Sequence, residues 1–187
     1  EAMVQALNSD DKEVVINSLQ IVSKRAIRNA FDRVLALTSS DDKDISTAAL
    51  DALGHVAGPD ELGRLFAMLD KADEESAAKL QDAIIIINRK SAPEKAFEMT
   101  KKAMDASAKP ARYYRIIANT NADEAIQILQ KAGNSEAQTA LLDVKNIKML
   151  PILLDIAKDK HKGEAKDKIL ARYLDLASSV GATPVER

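Results

Sequence analysis

Three stretches of this 187-residue chain align with one another at a constant shift of 31 residues. DKEVVINSLQIV at 11–22, DKDISTAALDAL at 42–53 and DEESAAKLQDAI at 73–84 each open on an aspartate: Asp11, Asp42 and Asp73. They share an apolar column of Val22, Leu53 and Ile84. A second column holds Leu19, Leu50 and Gln81, where Gln81 breaks the pattern and the adjacent Leu80 can take over its packing. The segments between them repeat at the same shift, so that Phe31, Val34, Leu35 and Thr38 fall on Leu62, Leu65, Phe66 and Leu69. An i, i+3, i+4, i+7 spacing is the stripe of a helix that buries one face. A unit this short cannot close a core alone, so each must bury its stripe on its neighbours, which limits the chain to a stack of helix pairs.

Beyond residue 90 the register loosens but the pairing continues, as Pro93 to Asp105 with Pro110 to Thr120, Ala122 to Lys131 with Glu136 to Val144, and Ile147 to Lys158 with Glu164 to Ser178. This makes six pairs, the first incomplete. Asp10 with Glu13, Ser91 with Glu94, Asn121 with Glu124 and Ser135 with Gln138 have the spacing of capping boxes. Gly58-Pro59 and Lys109-Pro110 read as helix stops and restarts, because proline suits a first turn and disrupts an interior. Pro151, inside Ile147 to Lys158, is expected to kink that helix. The β-branched run Ile84 to Ile87 lies within a longer helical pattern and reads as a buried helix face rather than a strand. The expectation is an all-α fold, an α-solenoid of about six stacked antiparallel helix pairs forming one array over 1–187.

Both ends read as cut. The partner of Phe31 would precede Glu1, and Thr183-Pro184-Val185-Glu186 has the form of a helix start. The array is therefore expected to be a fragment of a longer chain.

Composition narrows the chemistry. With 27 Lys plus Arg against 29 Asp plus Glu, bulk charge favours neither nucleic acid nor an anionic membrane surface. The absence of cysteine removes disulfides, cysteine zinc sites and thiol nucleophiles. The longest strictly apolar run, Ala83 to Ile87, is far too short to span a bilayer, so a soluble protein is expected, with no membrane insertion.

The small-apolar pattern Ala48-Ala49-Leu50-Asp51-Ala52-Leu53-Gly54, within a block from Asp41 to Gly58 and behind an acidic turn, resembles HEAT repeats, most closely the short bacterial HEAT-like kind. The likeness covers nearly the whole chain and is strongest in the first three repeats. The arginine common early in that family's second helix is missing from the blocks at 11, 42 and 73. The drift of repeats four to six and the tail Leu174-Asp175-Leu176-Ala177-Ser178-Ser179-Val180-Gly181 also resemble HEAT segments attached to sugar-active domains in secreted proteins of the Bacteroidetes type. The compartment stays open, leaning to the bacterial periplasm.

These resemblances imply a non-catalytic scaffold for protein-protein or interdomain contact. The alternative is an accessory module of a carbohydrate-active multidomain protein, and a third reading is a bilin-lyase-like enzyme. The di-iron members of the family use repeated His-Glu pairs, whereas here His55 precedes Val56 and His161 precedes Lys162. No catalytic, metal or cofactor residue is assigned. The acidic clusters at 10–11, 41–44 and 73–75 read as helix N-terminal charge rather than calcium sites, and His55 as a helix C-terminal residue. Phe31, Phe66 and Phe97 read as core. The candidate interaction surface comprises Gln20, Asp51, Asp82, Arg112, Tyr113 and Arg115: positions that follow the core columns of the second helices, and the one place where arginine and tyrosine interleave.

Overall fold

The computed structural model describes residues 2–160 and 164–179. Among them the regular structure is entirely helical and falls into twelve α-helices. They are α1 (Ala2–Ala6), α2 (Lys12–Lys24), α3 (Phe31–Leu37), α4 (Lys43–Val56), α5 (Leu62–Lys71), α6 (Glu74–Asn88), α7 (Pro93–Ala106), α8 (Tyr114–Ala118), α9 (Asp123–Ala132), α10 (Ser135–Leu141), α11 (Met149–Lys160) and α12 (Glu164–Ser179). Short 3-10 turns at Arg28–Ala30, Pro59–Glu61 and Pro110–Tyr113 lead into α3, α5 and α8. The chain divides into two compact units, 1–116 and 117–187.

In the first unit the second helix of each pair packs on the next, α2 on α4 and α4 on α6, while α3 packs on α4 and α5 on α6. The repeated columns supply the core: Leu19, Leu50, Val22, Leu53 and Ile84 are buried, as are Phe31, Val34, Leu62, Leu65, Phe66 and Leu69. Gln81 is only half-buried and Leu80 is buried in its place. Ile84, Ile85 and Ile87 are buried inside α6, as a helix face. Phe97 departs from the expected core. It is half-exposed, and the buried line of α7 runs one position away through Ala96, Thr100 and Met104.

Close approach of α4 to α6 depends on Gly54. A Cβ there would lie 2.8 Å from the Cα of Ala83 and 3.1 Å from its carbonyl oxygen. The α2–α4 and α4–α6 seams are each held at the N-terminal end by charge. Lys12 reaches Asp42 at 2.9 Å and Asp44 at 2.5 Å, and 31 residues on, Lys43 reaches Glu75 at 3.0 Å. The same contact thus recurs at the same place in successive repeats.

The aspartates that open each block are the caps. Asp11 accepts from the backbone N–H groups of Glu13 and Val14, Asp42 from those of Asp44 and Ile45, and Asp73 from that of Ser76. The expected capping boxes are each displaced by one residue, the observed N-caps being Asp11, Ala92, Ala122 and Asn134. In the second unit α9 packs on α10 and α11 on α12. Pro151 produces no interior kink, because α11 begins at Met149 and the proline falls in its first turn, where a missing N–H costs no helical bond. Arg172 ties α12 to the turn after α10 by donating to the carbonyls of Leu142 at 2.7 Å and Val144 at 3.2 Å. The expected helix start at Thr183 lies outside the described residues.

Candidate interaction surface

The second helices of the first unit place Gln20 on α2, Asp51 on α4 and Asp82 on α6 at successive repeat positions, all three exposed. Arg115 stands on α8, half-exposed, with its guanidinium 2.6 Å from the Asp82 carboxylate. Asp51 pairs in the same manner with Lys79 of α6. The result is a row that alternates in sign, in which an acid on one helix meets a base on the next. Opposite charges this exposed contribute little to folding, and their effect on the surface is to cancel its long-range field.

Two of the six candidate residues leave this surface. Tyr113 is fully buried. Its ring lies 5.8 Å from that of Phe66 and its hydroxyl donates to Asp70 at 2.9 Å. Ser107 donates to the same carboxylate oxygen at 2.6 Å. Burial, and next the hydrogen bond to Asp70, hold the Tyr113 phenol above its ordinary pKa, so it stays a neutral donor. Arg112 turns inward as well, its side chain only 12% exposed. It donates to the Leu69 carbonyl at 2.6 Å at the end of α5 and pairs with Glu74 at 2.9 Å, while its own carbonyl accepts from Gln81 at 2.8 Å. Arg112 and Tyr113 therefore lock the start of α8 against α5 and α6.

The reason is local. The segment enters as a 3-10 turn at Pro110–Tyr113 rather than as α-helix, and three residues per turn instead of 3.6 rotates residues 112 and 113 inward by roughly 80° over four residues. Sequence reasoning missed Lys79. Its signal is an opposite charge placed close to one repeat away: Asp51 to Lys79, like Asp82 to Arg115, spans nearly the repeat length.

The remaining titratable groups with displaced pKa values belong to structural contacts. Lys12 is raised by its hydrogen bonds to Asp44 and Asp42, Lys43 by Glu75. Asp42 is lowered by Lys12, Asp73 by the Ser76 N–H, and Asp123 by Lys148 and then Asn146. Lys90 is lowered by burial and then by the nearby Arg28, and its ammonium donates to the Gly54 carbonyl at 3.1 Å.

A cleft of about 310 Å³ in the first unit is lined by Leu50, Met68 and Leu80 with Thr38, Lys71 and Ser76. One of about 290 Å³ in the second is lined by Leu129, Leu141 and Ile152 with Gln130, Gln138 and Asp155. Each offers apolar walls, hydroxyl or amide groups and one charge. Neither brings together the paired acid and base that general catalysis needs. His55 is exposed in the last turn of α4, and His161 lies outside the described residues. Among the described residues no three His, Asp or Glu side chains gather to hold a metal, and no helix is long and apolar enough to cross a membrane. No protein-family model matches the chain, and no curated protein matches it.

Proposed function

We propose that this chain is a HEAT-like α-solenoid segment that acts as a non-catalytic scaffold, offering the faces of its second helices to another protein or to a neighbouring domain. The observation that carries this reading is the row of Gln20, Asp51, Lys79, Asp82 and Arg115, drawn from four consecutive second helices. Because acids and bases alternate along it, the row has little net field to steer a polyanion. Short-range complementarity with a folded protein suits it better, since there the spacing of charges sets register and rejects wrong partners. The 31-residue repeat supports the solenoid: each helix pair has its stripe where the next pair can cover it.

Site-specific photocrosslinking tests the proposal. A photoreactive residue at Gln20 or Asp82 should give discrete adducts with one protein or with another domain. The same residue at Glu98, exposed on α7, should not. Adducts equal in number and kind from all three positions would remove the second-helix face from consideration.

A further inference from the structure

The apolar column of the first helices is broken at one place inside the first unit. Leu7, Thr38 and Leu69 fall at one position of successive repeats. Both leucines are 0% exposed, whereas Thr38 is half-exposed and its hydroxyl donates to the Leu35 carbonyl at 2.7 Å. Thr38 lines the cleft of about 310 Å³, so this shorter polar side chain borders open space at a position where its repeat-mates are leucines in the core. Surrounding structure closes only partly over a shortened side chain. The first turns of α3 and α5 are tied together, since Arg64 of α5 reaches Asp32 of α3 at 2.7 Å and lies 5.0 Å above the Phe31 ring. The cleft opens at their other ends, with Leu50 of α4, Leu80 of α6 and Met68 of α5 as its apolar walls. Both helix pairs that form it are interior to the array, preceded by α1–α2 and followed by α7–α8.

The polar groups of the lining say what fits it. Its one charged residue is Lys71, in the last turn of α5. The acids close to Lys71 in sequence are engaged elsewhere: Asp70 by Tyr113 and Ser107, Asp73 by the Ser76 N–H, Glu74 by Arg112 and Glu75 by Lys43. Lys71 is left with no carboxylate partner among the described residues. The Ser39 hydroxyl, on the same lining, is also uncommitted, while that of Thr38 is spent on Leu35. An ammonium and a hydroxyl supply one donor for each oxygen of a carboxylate. A cationic ligand would meet Lys71 and find no acid in the lining. Apolar walls with a few polar groups at one side are the usual make-up of a small-molecule site, and this volume lies at the low end of such sites, which limits the apolar part to a short chain. We propose that the cleft binds a medium-chain aliphatic carboxylate, its chain against Leu50, Met68 and Leu80 and its carboxylate on Lys71 and Ser39. The site is separate from the charged row on the second helices and does not depend on it.

Titration of the nitrogen-15-labelled chain with sodium octanoate, octanol and octylamine tests this. Octanoate should move the amide signals of Ser39, Lys71 and Ser76 saturably, with a Kd of about 1 mM or tighter. Octanol should bind more weakly at the same place, and octylamine should not bind. Thr38→Leu restores the residue of the neighbouring repeats and should abolish binding with helical circular dichroism unchanged. Ala67→Leu, exposed on the α5 wall of the cleft, fills the same space from the other helix and should do likewise. Lys71→Met should weaken octanoate about three- to fivefold, the range of an exposed charge pair, and leave octanol unaffected. The proposal is overturned by an absence of saturable shifts, by shifts scattered over the whole surface as a detergent would give, or by octylamine binding as well as octanoate. Octanoate binding that survives both Thr38→Leu and Ala67→Leu, or that is indifferent to Lys71→Met, would overturn it equally.

Discussion

Gly54 lies inside α4, where replacing glycine by alanine would ordinarily stabilise a helix by about 1 kcal/mol through reduced chain entropy. Here the sign should reverse. The new methyl would sit 2.8 Å from the Cα and 3.1 Å from the carbonyl oxygen of Ala83, and 3.1 Å from Cδ1 of Ile86. Carbon atoms in contact rest near 3.5 Å or more, so the two helices must part by roughly 0.7 Å at this point. Rotation of Ile86 relieves one contact, but the other two are to backbone and have no rotamer to change. Overpacking of this kind costs about 1–3 kcal/mol. Set against the propensity gain, a net loss of about 1 kcal/mol is expected, a fall of roughly 2–4 °C in Tm for a chain of this size. Gly63 supplies the control: it is in α5, exposed, and a methyl added there meets nothing within 4 Å, so Gly63→Ala should gain up to about 1 kcal/mol. Gly58 falls between, since its nearest neighbour at 2.6 Å is the movable guanidinium of Arg28. Urea unfolding followed at 222 nm on the three alanine variants measures the series. Equal stabilisation by Gly54→Ala and Gly63→Ala would refute the argument that α4 and α6 touch through backbone.

Tyr113→Phe should lower stability by about 1 kcal/mol at neutral pH by removing the donor to Asp70, and should flatten the alkaline limb of the stability curve. The folded pKa is raised, so the contribution of Tyr113 is whole below the unfolded value of 10.0. It is lost as pH climbs toward the higher folded value, at about 1.4 kcal/mol per pH unit. Lys12 and Lys43 titrate equally in both proteins, so urea midpoints of the pair between pH 9 and pH 11, roughly bracketing an ordinary tyrosine, isolate this group; parallel curves would contradict it. Arg112→Ala should cost about 1–3 kcal/mol, because it strips the Leu69 carbonyl and Glu74 of a charged donor, whereas Arg115→Ala should cost under about 0.5 kcal/mol; equal losses would return Arg112 to the surface. Asn134→Ala should destabilise α10 by about 1 kcal/mol while Ser135→Ala is nearly silent, and the opposite order would move the cap back to Ser135.

The packing of the first unit is legible because its repeat is strict: a column of three apolar residues at one interval has few explanations other than a buried seam. What the spacing does not convey is phase at the helix ends. Ser91 is displaced as a cap because Pro93 takes the first helical position and forces the residue before it, Ala92, into extended backbone at ψ 138°. Asn121 is displaced because it adopts a left-handed conformation with φ 58° and gives its side chain to the Lys145 N–H at 2.7 Å. At 10–11 two adjacent aspartates can each cap, and only the geometry at Asp11, extended with its carboxylate on the Glu13 and Val14 amides, selects one. Phe97 misses the buried line by a single position, the smallest error that moves a side chain off a helical stripe.

The candidate surface is half legible for a related reason. Gln20, Asp51 and Asp82, spaced by 31 residues, stay exposed where counting positions after a core column puts them, since that count holds wherever the backbone is α-helical, and Arg115 is half-exposed two positions past the next repeat position. Arg112 and Tyr113 fail because the count crosses the 3-10 turn after Lys109, whose tighter winding sends both side chains inward. An arginine and a tyrosine in sequence look like an interaction hot spot. The same pair of residues is equally suited to tying down a helix start, with one fork for an orphaned carbonyl and one hydroxyl for a buried carboxylate. Composition cannot separate these uses, but burial does. On this row Asp51 is matched by Lys79 and Asp82 by Arg115, so a partner would have to compete with Lys79 for Asp51 and with Arg115 for Asp82. Recognition on this face would therefore exchange one exposed ion pair for another, which favours specificity over affinity.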